Sequence, residues 1–430
     1  MKYLIVGFGL TGRSCAEFLS SQGNTVIVVD DNLGSIGLAK CKAKYPSIRF
    51  ESVATAKTLA NIDYMLPSPG VSPEHYCIKY ARENRLKIIT DLDLFAANTK
   101  ANYILVTGTN GKSTVVTLLS RMLSAAGQKV AVGGNIGIPI LDCLDFDWVV
   151  IEVSSFTLYY ANSLKAAAGV LLNIGNDHLN WHGSFENYLA AKSKVYDFSL
   201  KKICNIEQSV NICKEHIYFG RSNKADWQIA DCGDILNTGR VVVSKADYLV
   251  SQAGLAENIA ACAAIFSSLG FSIDNILIGV RSFVGLEYRC QLVSRYNNIY
   301  WINDSKATNL HAVIAAVNSV NSQYGKDIVL IMSGVLKEPV INLDTIINKT
   351  KMIILAGEIA NNVAPVLKEK NCNFAIVKNI KSAVELVEHA SCKSKVVLFS
   401  PGGASFDAFE NYKQRGSYFN SLIQEIEVRS

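Results

Sequence analysis

One stretch limits the possible folds more than any other. An apolar run, Tyr103-Ile104-Leu105-Val106-Thr107, leads into Gly108-Thr109-Asn110-Gly111-Lys112-Ser113-Thr114, and an amphipathic helical pattern, Val115–Ala125, follows at once. A strand that passes through glycines into a helix belongs to a parallel sheet, because only a helical crossover returns the chain for the next parallel strand. The loop also carries chemistry. Glycines let backbone N–H groups approach phosphate oxygens at the positive end of the helix. Lys112 would reach the β- and γ-phosphates of ATP, and the hydroxyl of Ser113 or Thr114 would bind Mg²⁺. Two residues separate Gly108 from Gly111, where the usual phosphate loop has four. A chance turn is the alternative reading of the same residues.

The rest of the chain repeats the strand-helix theme. Buried strands are expected at Tyr3–Val6, Thr25–Asp30, Asp63–Leu66 and Leu86–Ile89, with helical patterns at Leu10–Ser20 and Pro73–Asn84. Further strands fall at Trp148–Glu152, Gly169–Asn173, Ile299–Asn303, Asp327–Met332, Met352–Leu355 and Val396–Ser400. This predicts an α/β protein of doubly wound parallel sheets. Its 430 residues, at roughly 150 per domain, make three domains, with divisions placed at 1–92, 93–294 and 295–430.

Composition narrows the function classes. The net charge of +5 comes from 42 basic and 37 acidic residues without a basic run, so a nucleic-acid partner is not expected. No run approaches the roughly 18 apolar residues of a membrane helix. Eleven cysteines without a C-x-x-C pair read as small core residues of a reducing compartment, hence a cytoplasmic protein.

Gly7-Phe8-Gly9-Leu10-Thr11-Gly12 is a second strand-to-helix glycine loop, and Asp30 closes the next strand where a ribose-binding acid would lie. By itself this loop leaves a dinucleotide, another nucleotide diphosphate or no ligand open. Glu152, at a strand end beside the Gly108 loop, suits a metal-binding acid, or an acid facing water.

The T-G-T-N-G-K-S run resembles the ATP loop of the Mur ligase family, which also includes folylpolyglutamate synthases. Further segments resemble the family in order along nearly the whole chain. They are Gly7–Ser14, Ser68-Pro69-Gly70, Glu152-Val153-Ser154-Ser155-Phe156, Asn303–Asn309 and Ser400–Asp407. The resemblance implies a nucleotide-binding Rossmann-like domain, a central ATPase-like domain and a C-terminal Rossmann-like domain. It also implies an ATP-dependent, amide-forming ligase that adds D-glutamate to UDP-N-acetylmuramoyl-L-alanine through an acyl phosphate. ATP and Mg²⁺ are then required, the partners are small-molecule substrates, and the enzyme is a monomer.

Site residues carry over by position. Gly9, Leu10, Thr11, Gly12, Asp30, Ser68, Pro69, Gly70, Asn135 and Ser154 resemble the family's UDP-substrate residues. ATP would be held by Gly108–Thr114 with Asn258, Arg289, Asp304 and Lys306. D-Glutamate would meet Thr308, Lys337, Ser405, Phe406 and Tyr412. The family's metal site corresponds to Ser113, Glu152, His178 and a carbamylated Lys192, and catalysis to Lys112, Lys192, His178 and Glu152. By residue type alone, Lys192 reads as a solvated helix residue and His178 as a packing or capping residue; the resemblance reverses both. Three segments depart from the pattern: Asp30-Asp31-Asn32 lacks an arginine, 252–258 keeps only its last Asn, and Ser333–Leu336 precedes Lys337 with an altered loop. Two rivals stand beside this reading. One is a related ligase for a different amino acid, and the other is a dinucleotide-binding regulator with no catalytic activity.

Overall fold

The computed structural model describes residues 1–208, 213–250, 254–336, 340, 342–389 and 394–428. It divides into two compact units: Met1–Leu249 with Ala256–Phe283, and Val250–Leu255 with Val284–Ser430.

Unit 1 contains two sheets. In the first, β1 (Lys2–Val6), β2 (Thr25–Val29), β3 (Arg49–Glu51), β4 (Tyr64–Pro67) and β5 (Lys87–Ile88) are parallel in the order β3-β2-β1-β4-β5. The order reverses at β1, which is the switch point where open α/β sheets take ligands. The helix Ser35–Lys44 and strand β3 were not expected from sequence. The helix presents no fully buried residue, so its apolar period is faint.

The second sheet holds β6 (Asn102–Thr107), β7 (Val130–Gly134), β8 (Trp148–Glu152), β9 (Ala166–Leu171), β10 (Ser199–Asn205), β11 (Ile217–Gly220), β12 (Trp227–Ile229), β13 (Ile235–Asn237) and β14 (Arg240–Val243). Their order is β14-β13-β12-β11-β10-β9-β6-β8-β7, antiparallel only where β13 joins β12 and β14. β6 sits inside the sheet between β8 and β9, and its Tyr103–Thr107 are buried. That explains a near-continuous apolar run, since helices cover both faces of such a strand. The helix after β6 begins at Lys112 rather than Val115, because Gly111 turns left-handed at φ 88° and Lys112 already has helical geometry. Its Val115, Val116, Leu118, Leu119, Met122 and Leu123 are buried. Gly279, on the helix Ile273–Arg281, lies so close to Met122 that a Cβ would collide with it.

Unit 2 contains the third sheet: β15 (Gln291–Tyr296), β16 (Ile299–Asn303), β17 (Ile328–Ser333), β18 (Met352–Ala356), β19 (Phe374–Val377) and β20 (Val396–Gly402). The order is β15-β16-β20-β17-β18-β19, all parallel except β15. The expected division at 294/295 falls inside β15, whose ladder to β16 makes it part of this sheet.

Asp93 secures the link between the first two sheets. It completes a capping box with Thr90 at the helix Asp91–Asn98 and also accepts from the backbone N–H groups of Asn162 and Ser163 at 3.0 and 3.3 Å. Charge-assisted bonds of this kind contribute about 1.5–3 kcal/mol each before compensation. Asp93→Ala should therefore cost unit 1 about 2–3 kcal/mol. Calorimetry should show its transition lowered by several degrees, and an unmoved transition would exclude this role.

Candidate active site

The Gly108 loop is fastened on two sides. Thr109 donates its N–H to the Asn173 carbonyl at 2.9 Å, and Asn110 donates its own to Asn173 Oδ1 at 2.8 Å. Thr109 Oγ1 also meets the hydroxyl of buried Tyr188 at 3.0 Å. Gly111 must be glycine: besides its left-handed φ, a Cβ would strike Asn258 Oδ1, so Asn258 packs directly on the loop.

Two lysines converge on one carbonyl. Lys112 Nζ donates to the Gly108 and Thr109 carbonyls at 2.7 and 2.9 Å. Lys192 Nζ donates to the same Gly108 carbonyl at 2.9 Å and to Thr107 Oγ1 at 3.3 Å. Lys192 is only 2% exposed and lies over the Tyr188 ring, which corrects the solvated reading of this residue. Its helix, Phe185–Asp197, turns Tyr188, Ala191, Lys192 and Val195 inward. Burial, reinforced by Lys112, holds the Lys192 amine well below the usual lysine range, against the opposing charges of Asp177 and Glu152.

Glu152 ends β8, and both of its oxygens are engaged. Ser113 Oγ donates to Oε2 at 2.7 Å and Asn135 Nδ2 to Oε1 at 3.0 Å. Thr114 Oγ1 is buried without a hydrogen-bond partner. Ser113 and Glu152 thus form an oxygen donor pair suited to a hard cation such as Mg²⁺. His178 is left-handed at φ 54°, precedes the short helix Leu179–His182, and lies 3.5 Å from Asp177 through Nε2. Among the described residues, no group of three or more His, Cys, Asp or Glu gathers as a preformed metal cage.

Sequence reasoning missed His182. It is buried, bonded to Ser155 Oγ at 2.9 Å and stacked on Phe156, with burial pulling its imidazole down to about 4. Its position one helical turn after His178 was the available signal.

In the first sheet, Gly7 (φ 90°) leads into the helix Leu10–Ser21, which has no side-chain cap. Gly12 is buried so tightly that a Cβ would meet the Gly7 carbonyl. Asp30 accepts from the Phe8 N–H at 2.7 Å and from Asn32 N–H at 2.9 Å, so it holds the loop itself. Ser68 Oγ closes the site by donating to the Gly7 carbonyl at 2.8 Å. Gly9, Leu10 and Gly70 remain exposed, with Thr11 and Pro69 half-buried beside them. Ser154 caps the helix Ser155–Tyr160 by accepting from Thr157 N–H.

In unit 2, Asp304 follows β16, is 4% exposed, and accepts from Ser400 Oγ at 2.8 Å and Cys290 N–H at 3.2 Å. Arg289 is near enough to act electrostatically on it, and Lys306 Nζ lies 5.9 Å from the centre of the Tyr412 ring. Thr308, between this loop and the helix Leu310–Tyr324, is half-buried; Ser405 is buried and Phe406 exposed. Lys337 lies outside the described residues, as do 252 and 253 of the altered 252–258 segment.

The chain's similarity to known proteins fits this geometry. The profile of the Mur ligase MurD-like N-terminal domain matches residues 1–90, and that of the Mur ligase middle domain matches residues 106–264. A UDP-N-acetylmuramoylalanine--D-glutamate ligase of Coxiella burnetii (strain CbuK_Q154) is 32% identical over 439 aligned positions, covering 98% of each chain. The chain belongs to the Mur ligase family. A ligase of the same name from Alcanivorax borkumensis is 31% identical, again over 98% of each chain. Among solved Mur ligase folds, UDP-N-acetylmuramate-alanine ligase MurC from Thermotoga maritima superimposes with a TM-score of 0.61 at 19% identity, covering 99% of each chain. E. coli FolC in complex with DHPP and ADP gives 0.57 at 18% identity, covering 79% of this chain and 93% of that one. These likenesses support the fold of this Mur ligase.

The buried Asp304 gives a pH signature. Burial raises its carboxyl to about 6, above the roughly 4 of a free Asp, so the folded state holds the proton more tightly than the unfolded chain. Stability therefore falls as pH rises from about 4 to 6, and the loss is complete above that window. Asp304→Asn removes this slope. Its melting temperature relative to the wild type should climb across that interval, and a constant difference would refute the assignment.

Proposed function

We propose that this Mur ligase joins D-glutamate to UDP-N-acetylmuramoyl-L-alanine at the expense of ATP. Supporting it most directly is the convergence of Lys112 and Lys192 on the Gly108 carbonyl beside the Ser113–Glu152 pair, in a chain matching D-glutamate ligases over nearly its whole length. We assign the UDP-sugar to the first sheet, the ATP phosphates to the Gly108 loop, and the amino acid with further ATP contacts to unit 2.

The chemistry follows from charge. A carboxylate oxygen of the alanine attacks the γ-phosphorus of ATP, the bond to the bridging oxygen breaks, and ADP leaves. The amine of D-glutamate then attacks the acyl carbon, loses a proton, and expels phosphate. Lys112 offsets the repulsion between carboxylate and triphosphate and follows the γ-phosphate charge. Asn258 and Tyr188 keep the loop in register. Asn135 and Ser113 fix both oxygens of Glu152. Mg²⁺, when bound, would neutralise phosphate charge; Ser113 and Glu152 would hold it, with His178 and Lys192 as the further ligands. Burial, with Lys112 beside it, favours the uncharged form of the Lys192 amine, the form that can add carbon dioxide and release a proton to become a carbamate. In unit 2, Arg289, Asp304 and Lys306 would complete the ATP contacts. Thr308, Lys337, Ser405, Phe406 and Tyr412 would take the amino acid.

The deciding experiment gives the enzyme ATP, UDP-N-acetylmuramoyl-L-alanine and a panel of amino acids. D-Glutamate should support phosphate release well above any other, and preference for a different amino acid would replace this reading. A second measurement concerns Lys192. Lys192→Ala should lose roughly 100-fold or more in kcat, the scale for removing a preorganised charge, and added acetate should restore part of it. Near-normal activity of the unrescued variant would return Lys192 to a packing role.

A further inference from the structure

Arg415 is a fully buried charged side chain of unit 2 to which the proposed reaction gives no role. It sits in the first turn of the helix Tyr412–Val428 and is 0% exposed. Its guanidinium binds two loops at once. Nε donates to Ser305 Oγ at 3.1 Å, Nη2 to the Ser305 carbonyl at 2.9 Å, and Nη1 to the Gly403 carbonyl at 2.9 Å. A third loop packs on it: Gly334 is so close that a Cβ would lie 2.8 Å from Nη1. That loop is stitched to the second by paired Val335 and Ala404 backbone bonds of 2.9 and 2.8 Å. The three loops leave the adjacent parallel strands β16, β20 and β17, at the sheet edge where α/β folds take ligands.

The acceptors are all neutral, and among the described residues no carboxylate lies within ion-pair distance; exposed Asp407 acts on it only from farther away. Burial lowers the guanidinium to about 10, so it stays charged at neutral pH. A buried cation without a close counter-ion is an expensive way to stabilise a core, and apolar residues do that more cheaply. What it supplies is a planar fork with donors in fixed directions, able to hold several loops in one register.

We propose that Arg415 is a positioning residue for the incoming amino acid. This rests on the assignment of that substrate to unit 2: the three bridged loops carry Ser305 near Thr308, Ser405 after Gly403, and the turn at Gly334 and Val335. Asp304 has its own anchors in Ser400 and Cys290, so ATP contacts depend less on the fork.

The test uses the full-length enzyme and begins with the wild type on the amino-acid panel. Its preferred acceptor is then titrated against the variants, so a preference other than D-glutamate would overturn the proposed function while leaving the Arg415 comparison intact. Arg415→Lys keeps the charge but cannot reproduce the fork. Its KM for the acceptor should rise tenfold or more, with the KM values for ATP and the UDP-sugar within threefold of the wild type and kcat reduced less than the acceptor KM is raised. An unchanged acceptor KM, or an equal rise in all three, would overturn the proposal. If Arg415→Lys does not fold, Ser305→Ala decides, since it removes one acceptor and leaves the guanidinium in place. A rise of about threefold confined to the acceptor KM supports the role, and no change overturns it.

Discussion

Two lysine amines share the Gly108 carbonyl, and the groups around them decide what charge that pair can carry. As cations this close they would repel, and the nearly dry surroundings of Lys192 would make the repulsion stronger than in water. The structure meets the cost with loop carbonyls, the Tyr188 ring, and the acids Asp177 and Glu152 acting at a distance. A polyanion or a change in the Lys192 amine would relieve it more fully. Burial first, and Lys112 second, account for the depressed basicity of Lys192.

The glycine loop of the first sheet works with less charge. Its acid, Asp30, accepts from the Phe8 N–H, so one carboxylate oxygen is already committed to holding the loop. Ser68 does the same from the next strand. Backbone conformation and close approach shape this site, with Gly12 pressed on the Gly7 carbonyl. Unit 2 differs again. Asp304 and Arg415 are buried there, each meeting neutral hydrogen-bonding partners. Both are held by geometry at an electrostatic cost, an arrangement that favours precise loop placement over core stability.

Much of this was legible in the chain. β6 announces itself because a strand covered on both faces must be apolar at every position, and the glycines after it are required by φ and by contact. Lys112, Ser113 and Glu152 stand out as candidates by residue type and by place at strand and helix ends. Lys192 was not legible from its own helix. The pattern Tyr188, Ala191, Lys192 and Val195 marks an inward face, but a lysine on such a face ordinarily extends to water. The helix Ser35–Lys44 escaped notice because it buries too little to leave a period in the sequence.

The sequence by itself determined the alternation of strands and helices, the two strand-to-helix glycine loops and the family resemblance, because these depend on local spacing and backbone conformation. Only the tertiary structure decided which side chains meet. Residues 85 apart bring Lys192 to Thr107, residues 39 apart join Ser113 to Glu152, and residues 110 apart set Arg415 against Ser305. No local pattern encodes such pairs. They exist because parallel strands bring their ends to one edge of a sheet, so chain segments far apart in sequence deliver their loops side by side.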